Sequence, residues 1–175
     1  MKRTEYIETY GPLVIKAVRR TKLFASLMMA QAILESADSD GIPGNSMLTR
    51  KAKNHFGIKA DLYWNGLRIT LSTHEVINGE RKQVDAEFRA YETDLDSFQD
   101  RVRFLKQNKR YKSHGVFEAK TPAAQAQALQ EAGYATDPHY AQKLIQLMDK
   151  HNLYTLDLSD EDPELWGMLP LMSVQ

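Results

Sequence analysis

From Leu23 to Ser36 the chain reads LFASLMMAQAILES, and almost every position in that run is apolar or small. At helical spacing Leu23, Leu27, Ala30 and Leu34 make one stripe, and Met29 and Ile33 widen it until most of the circumference is apolar. A helix of that kind has no face to give to water, so the spacing predicts a helix over 23–36 that other elements surround. A chain of 175 residues has enough material to enclose it within one domain. One carboxylate sits in its last turn. Glu35 follows Met28, Gln31 and Ala32 at i−7, i−4 and i−3, so it tops a partly apolar face. Burial and the negative end of the helix dipole would both disfavour its charged form and raise its pKa. A carboxyl group kept neutral near pH 7 suits a general acid, which hands a proton to a leaving oxygen. A solvated helix-end glutamate is the commoner meaning of the same residue, and both readings stand at this level.

The flanking sequence is also largely helical. Residues 4–20 place Tyr6, Tyr10, Leu13, Val14, Ala17 and Val18 on one side, with Pro12 expected to cause an irregularity. Residues 37–50, with Gly41, Pro43 and Gly44, read as a loop. Residues 94–107 carry Leu95, Phe98, Val102 and Leu105 on one face. Thr121 and Asp137 each precede a proline and are expected to cap helices over 122–132 and 138–151.

Between these helices lies LRITLSTHEVINGERKQVDAEFRAY. Leu67, Ile69, Leu71 and Thr73 alternate with polar residues, as do Val84, Ala86, Phe88 and Ala90, and Asn78-Gly79 predicts a β-hairpin with a type I′ turn. That turn sets Ile77 opposite Glu80, Glu75 opposite Lys82, Leu71 opposite Ala86 and Ile69 opposite Phe88. Alternation then puts Glu75 on the face of Ile69, Leu71 and Thr73, toward the body of the domain or a cleft rim. A cross-strand ion pair with Lys82 is its plainer meaning. The expected fold class is α+β, mostly α, with a small β-hairpin lobe. Residues 1–154 form the domain. Residues 155–175 form a tail that is acidic through Glu164 and apolar around Trp166 and Leu169.

Several function classes fall away. Formal net charge is zero, so no global field draws the chain to nucleic acid or an anionic membrane, and no uninterrupted apolar run reaches the ~18–20 residues of a membrane span. Glu5 and Glu8 interrupt the N-terminal run, which therefore does not read as a signal peptide. Cysteine is absent, which removes disulfides, thiolate metal sites and cysteine nucleophiles. The HEVIN segment has Asn78 where a helical zinc motif needs histidine, and His55, His114, His139 and His151 lack ligand spacing. No glycine-rich phosphate loop appears. The basic run RVRFLKQNKRYK (101–112) reads as a solvated helix face. No metal or cofactor is expected, and the chain is expected to be a monomer.

Taken together, AQAILES (30–36), NHFGIKA (54–60) with Trp64 and Gly66 beyond it, FRAYET (88–93), NKRY (108–111) and GYATDPHYAQKLIQLM (133–148) resemble the glucosaminidase family, glycoside hydrolase family 73. That family includes flagellar peptidoglycan hydrolases and bacterial and phage autolysins. The resemblance covers about residues 5–154, and the order and spacing of five motifs give it specificity. It implies a lysozyme-like helical fold with a small β-lobe, and cleavage of the β-1,4 bond after N-acetylglucosamine in peptidoglycan glycan strands. It maps the general acid onto Glu35, a second acidic residue onto Glu75 and an active-site tyrosine onto Tyr134. Phe56, Tyr63, Trp64 and Tyr111 are the aromatic candidates for sugar faces, although core packing competes for Phe56, and Asp137 joins the substrate-binding set.

The loop after Glu35 departs from the family pattern. It is longer and more acidic, and Asp38 and Asp40 could touch sugar or peptide, compete with Glu75 for the second role, or only cap and turn the chain, the last being favoured. Lytic transglycosylase, muramidase and an inactive wall-binding module remain as alternatives. Action at the cell wall is implied, whether periplasmic, extracellular or phage-delivered.

Overall fold

In the computed structural model the described residues are 1–77 and 79–158, with the side chains of 74–77 and 81 left out. The turn residue Asn78 and residues 159–175, most of the expected tail, lie outside them. Among the described residues the regular structure is seven α-helices, one 3-10 turn and a two-stranded antiparallel sheet. The run that opened the sequence analysis becomes α2, Ala25–Glu35, and it is central as its pattern demands: every residue from Ala25 to Ile33 is buried. Around it pack α1 (Arg3–Val18), α6 (Pro122–Glu131), α7 (Tyr140–Lys150) and a short 3-10 turn, Leu153–Leu156. No side chain of its own caps the start of α2. The Ser26 N–H donates instead to the Asp157 carboxylate at 2.9 Å, and the Phe24 N–H donates to Gln125 Oε1. Leu156 is buried in the core beside them.

α1 runs unbroken through Pro12. Both Pro12 and Glu8, whose carbonyl loses its helical donor, are exposed, so water takes that bond and the expected irregularity does not develop. α3 (Met47–Ala52), capped by Ser46 accepting from the Thr49 N–H, overlaps the end of the 37–50 span expected as a loop, and α5 (Lys109–Ser113) is likewise not expected from the sequence. Helices of five or six residues are too short to show a period. α7 begins at Tyr140, two residues later than expected. Asp137 makes a turn with the His139 N–H and does not cap the helix. Thr121 caps α6 as its position before Pro122 predicts.

β1 (Arg68–Ile77) and β2 (Glu80–Arg89) pair in the expected register, with Ile69 opposite Phe88, Leu71 opposite Ala86 and Glu75 opposite Lys82. The base of the hairpin is fixed to the helices through Arg89. Its guanidinium donates to Asp100 at 2.9 Å and to Asp61 at 3.2 Å, and it covers the Trp64 ring at 4.5 Å. Asn54 ties the same corner together. Its amide donates to the carbonyls of Ile58 and Arg89, while its oxygen accepts from the Phe56 and Ile58 N–H groups. α4 (Asp94–Gln107), opened by a Thr93–Asp96 capping box, then packs on α1.

Candidate active site

α2 ends at Glu35, whose carboxyl is half-buried at one side of an open cleft of ≈ 490 Å³. Desolvation raises its pKa above the usual carboxylate range, and a hydrogen bond from Tyr140 opposes part of that rise. The Tyr140 hydroxyl donates to Glu35 Oε1 at 3.0 Å and accepts from Gln31 Nε2 at 2.7 Å. Gln31 Oε1 in turn accepts from Arg101, a fully buried guanidinium on α4. The basic run of α4 is therefore not wholly a solvated face: Arg101 points into the core, where it lies 5.9 Å from the Phe56 ring centre. Its burial disfavours the charged form, and the hydroxyls of Tyr134, Tyr140 and Tyr111 favour it.

The residue after Glu35 anchors the helix end. Ser36 Oγ donates to the Tyr6 hydroxyl and accepts from the Gly44 N–H, and the Ser36 carbonyl accepts from the Ser46 N–H. Tyr6 Oη lies 2.6 Å from His55 Nδ1, and His55 Nε2 lies 2.8 Å from Asp94, whose pKa this partner lowers. His55 is thus a buried hydrogen-bonding residue. Gly44 has φ +72°, and a Cβ there would sit 3.0 Å from the Tyr6 ring, so the loop crosses this network only because position 44 has no side chain. Asp38 turns the loop by accepting from the Asp40 and Ile42 N–H groups and from the Asn45 amide. Neither Asp38 nor Asp40 lines the cleft.

The cleft brings together Glu35, Tyr134, Phe56 and Tyr111 among the residues singled out from sequence. Tyr134 stacks on Tyr140 with ring centres 5.7 Å apart, and burial, with Glu35 nearby, pushes its hydroxyl pKa up. Tyr111 receives a hydrogen bond from Arg110 at 2.7 Å. Phe56 is 5% exposed and meets Phe98 edge-on, so it serves the core as well as the cleft wall. Trp64 and Tyr63 line a neighbouring depression of ≈ 310 Å³ that shares Asp61 with the cleft. Trp64 is partly covered by Arg89 and Tyr91, whereas Tyr63 is 90% exposed. Asp137 does not line the cleft. Its carboxylate pairs with Lys143 at 2.6 Å, which lowers its pKa. The register puts position 75 on the β1 face shared with Leu71 and Thr73, and the Glu75 side chain is outside the described set. Among the described residues no group of three His, Cys, Asp or Glu could hold a metal ion.

A family model described as mannosyl-glycoprotein endo-beta-N-acetylglucosaminidase matches residues 11–153. The chain belongs to the glucosaminidase family. It is similar to the peptidoglycan hydrolase FlgJ of Escherichia coli K12, 41% identical over 128 residues, a match covering 71% of this chain and 39% of that protein. It is also similar to the exo-glucosaminidase LytG of Bacillus subtilis 168, at 40% over 137 residues, covering 75% and 45%. The chain spans about two fifths of the length of the curated relatives it matches. Among solved structures, the catalytic domain of the autolysin Auto from Listeria monocytogenes matches with TM-score 0.76 and 30% identity, over 89% of this chain and 87% of that one. A glycoside hydrolase domain of Salmonella typhimurium FlgJ matches at 0.65 and 34%, over 86% and 98%.

With glucosaminidase membership in place, the residues that sequence reasoning passed over become plain. Gln31 lies one turn before Glu35 inside AQAILES, and its polarity in an otherwise apolar run was the signal that it must find a buried partner. Tyr140 lies within GYATDPHY, six residues after Tyr134. Asp61, just beyond NHFGIKA, is a second carboxylate lining the cleft, held by Arg89. Arg101 gave no signal of its own, since one arginine among several on a helix shows its burial only after the helices pack.

Proposed function

We propose that this glucosaminidase domain hydrolyses the β-1,4 bond following N-acetylglucosamine in peptidoglycan, with Glu35 as general acid. The observation carrying this reading is the position of Glu35, a desolvated carboxyl at the edge of an aromatic-walled cleft. As the glycosidic bond breaks, Glu35 passes its proton to the leaving oxygen while positive charge develops on the sugar ring. Glu75, at the β1 position opposite Lys82, activates water or stabilises that charge. An alternative within the same reading has the substrate's own N-acetyl group attack, oriented by Glu75 or Tyr134. Carboxyl separations of about 5–5.5 Å suit double displacement and about 6.5–9.5 Å suit direct inversion. Tyr134, with Tyr63 and Trp64 beyond it, offers a ring face to successive sugars, whereas Tyr111 and Phe56 are buried and only back the cleft wall, and the hairpin closes over the bound strand. The place of action is the cell wall.

The test is muropeptide analysis of digested sacculi with the wild type, Glu35→Gln, Glu75→Gln and Asp61→Asn. New reducing ends on N-acetylglucosamine, lost in Glu35→Gln, are the expected result, with Glu75→Gln impaired more than Asp61→Asn. Anhydro ends would instead indicate a lytic transglycosylase, and reducing N-acetylmuramic acid a muramidase. Equal, negligible release by wild type and Glu35→Gln would leave a wall-binding module.

A further inference from the structure

Four polar groups run in single file from the core to the cleft: Arg101, Gln31, Tyr140 and Glu35. Their order fixes every proton along the way. Arginine has donors and no acceptor, so the Gln31 atom facing it is Oε1 and the amide nitrogen must point at Tyr140. The Tyr140 oxygen, already accepting from that nitrogen, turns its own proton to Glu35 Oε1. A neutral Glu35 carrying its proton on Oε1 would aim that proton at an oxygen that already accepts one, and would leave the Tyr140 proton without an acceptor. The acidic proton belongs on Oε2, for which no partner is found among the described residues.

Arg101 is the source of this polarity. It is fully buried, no carboxylate among the described residues pairs with it, and its Nε and Nη1 find no hydrogen-bond acceptor. A buried cation without a counter-ion is destabilising on its own account, which makes its place behind the acid informative.

We propose that Arg101 is a positioning residue for the acid. Acting through Gln31, it fixes the direction of the Tyr140 proton and so reserves Glu35 Oε2 for the proton given to substrate. The proposal rests on the reading of Glu35 as general acid. The other titratable groups near Glu35 come from three further segments: Tyr134 before α7, Arg110 and Tyr111 on α5, and Lys59 and Asp61 ahead of the hairpin. All of them line the cleft; Tyr134 also hydrogen-bonds the Arg101 guanidinium, and the others take no part in the relay.

The test combines kinetics on purified sacculi with a ¹³C carboxyl titration of Glu35 in the free, full chain. Gln31→Glu keeps the size of the side chain and still satisfies Arg101. A carboxylate only accepts, however, so the Tyr140 proton turns away from Glu35. Tyr140→Phe removes the same donor without adding charge. Both are expected to raise the Glu35 midpoint, by about half a unit or more, and to carry the alkaline limb of the kcat/KM profile upward with it. Arg101→Met is expected to lower kcat about tenfold to a hundredfold with KM held within about twofold, and Arg101→Lys to recover most of the loss because an ammonium also donates to Gln31 Oε1.

An unmoved or lowered Glu35 midpoint in Gln31→Glu overturns the proposal, as does a folded Arg101→Met with wild-type kcat and pH profile. If Arg101→Met does not fold, Tyr140→Phe, which adds no charge, decides: an unmoved or lowered Glu35 midpoint there overturns the proposal. The titration needs no activity, so it separates the two failures. Full activity in Glu35→Gln overturns the choice of acid, while a silent titration beside an inactive Glu35→Gln overturns only the relay.

Discussion

Glu35 joins two opposed requirements in one side chain. The desolvation that suits it to proton transfer also makes its charged form unfavourable in the folded protein. Replacing it by glutamine should lower turnover of sacculi by about 10²–10⁴-fold, the usual range for a general acid, and leave substrate binding largely intact. The same substitution should affect stability in a pH-dependent way. Its folded pKa lies above the value in the unfolded chain, so between the two the folded state binds more protons and stability falls as pH rises. Glu35→Gln lacks this term. Its Tm should therefore exceed that of the wild type near pH 7, and the difference should close as pH drops below the ordinary carboxylate range. Thermal scans at several pH values check this, and a difference that widens toward acid would contradict the burial of Glu35.

At the level of elements, the hairpin depends on what its base is fastened to. Arg89 at the end of β2 holds Asp100 on α4 and Asp61 ahead of β1, and both the arginine and Asp100 are buried. Arg89→Leu leaves Asp100, among the described residues, with Tyr91 and Arg103 as partners, and should cost about 3 kcal/mol in urea denaturation. Adding Asp100→Leu should recover part of that loss, since an apolar pair leaves no stranded charge. Thr93 opens α4 by accepting from the Asp96 N–H, and Thr93→Ala should cost about 1 kcal/mol with activity unchanged. The contrast between these two elements is instructive. The cap is local and could be read from neighbouring residues, whereas Arg89 and Asp100 meet across separate elements.

Across the whole molecule, the core and the site share one scaffold. α7 presents Tyr140 to Glu35 while its Leu144 and Met148 are fully buried, and it packs on both α6 and α2. Leu144→Ala should remove about 2–5 kcal/mol of stability, a fall in Tm of about 2–4 °C per kcal/mol for a chain of this size. Because α7 carries a relay residue, activity per folded molecule should fall as well, which circular dichroism and sacculus assays on the same samples can separate. Among the described residues no helix is long and apolar enough to cross a membrane.

The sequence by itself determined the central helix, the hairpin and its register, and the Thr121 cap of α6, because each depends on residues close together along the chain or on a period of 2 or 3.6. It also singled out Glu35, whose place at the end of an apolar run is a local property, and its motifs carried the family. The short helices α3 and α5 and the true start of α7 escaped it, since five residues show no period and Asp137 suits a turn as well as a cap. Only the tertiary structure could decide that Arg101, seventy positions from Gln31, is buried behind Glu35, or that Asp61 and not Asp137 reaches the cleft. Those facts depend on which faces of α2, α4 and α7 meet, and a pattern within one element does not contain the partner it will pack against.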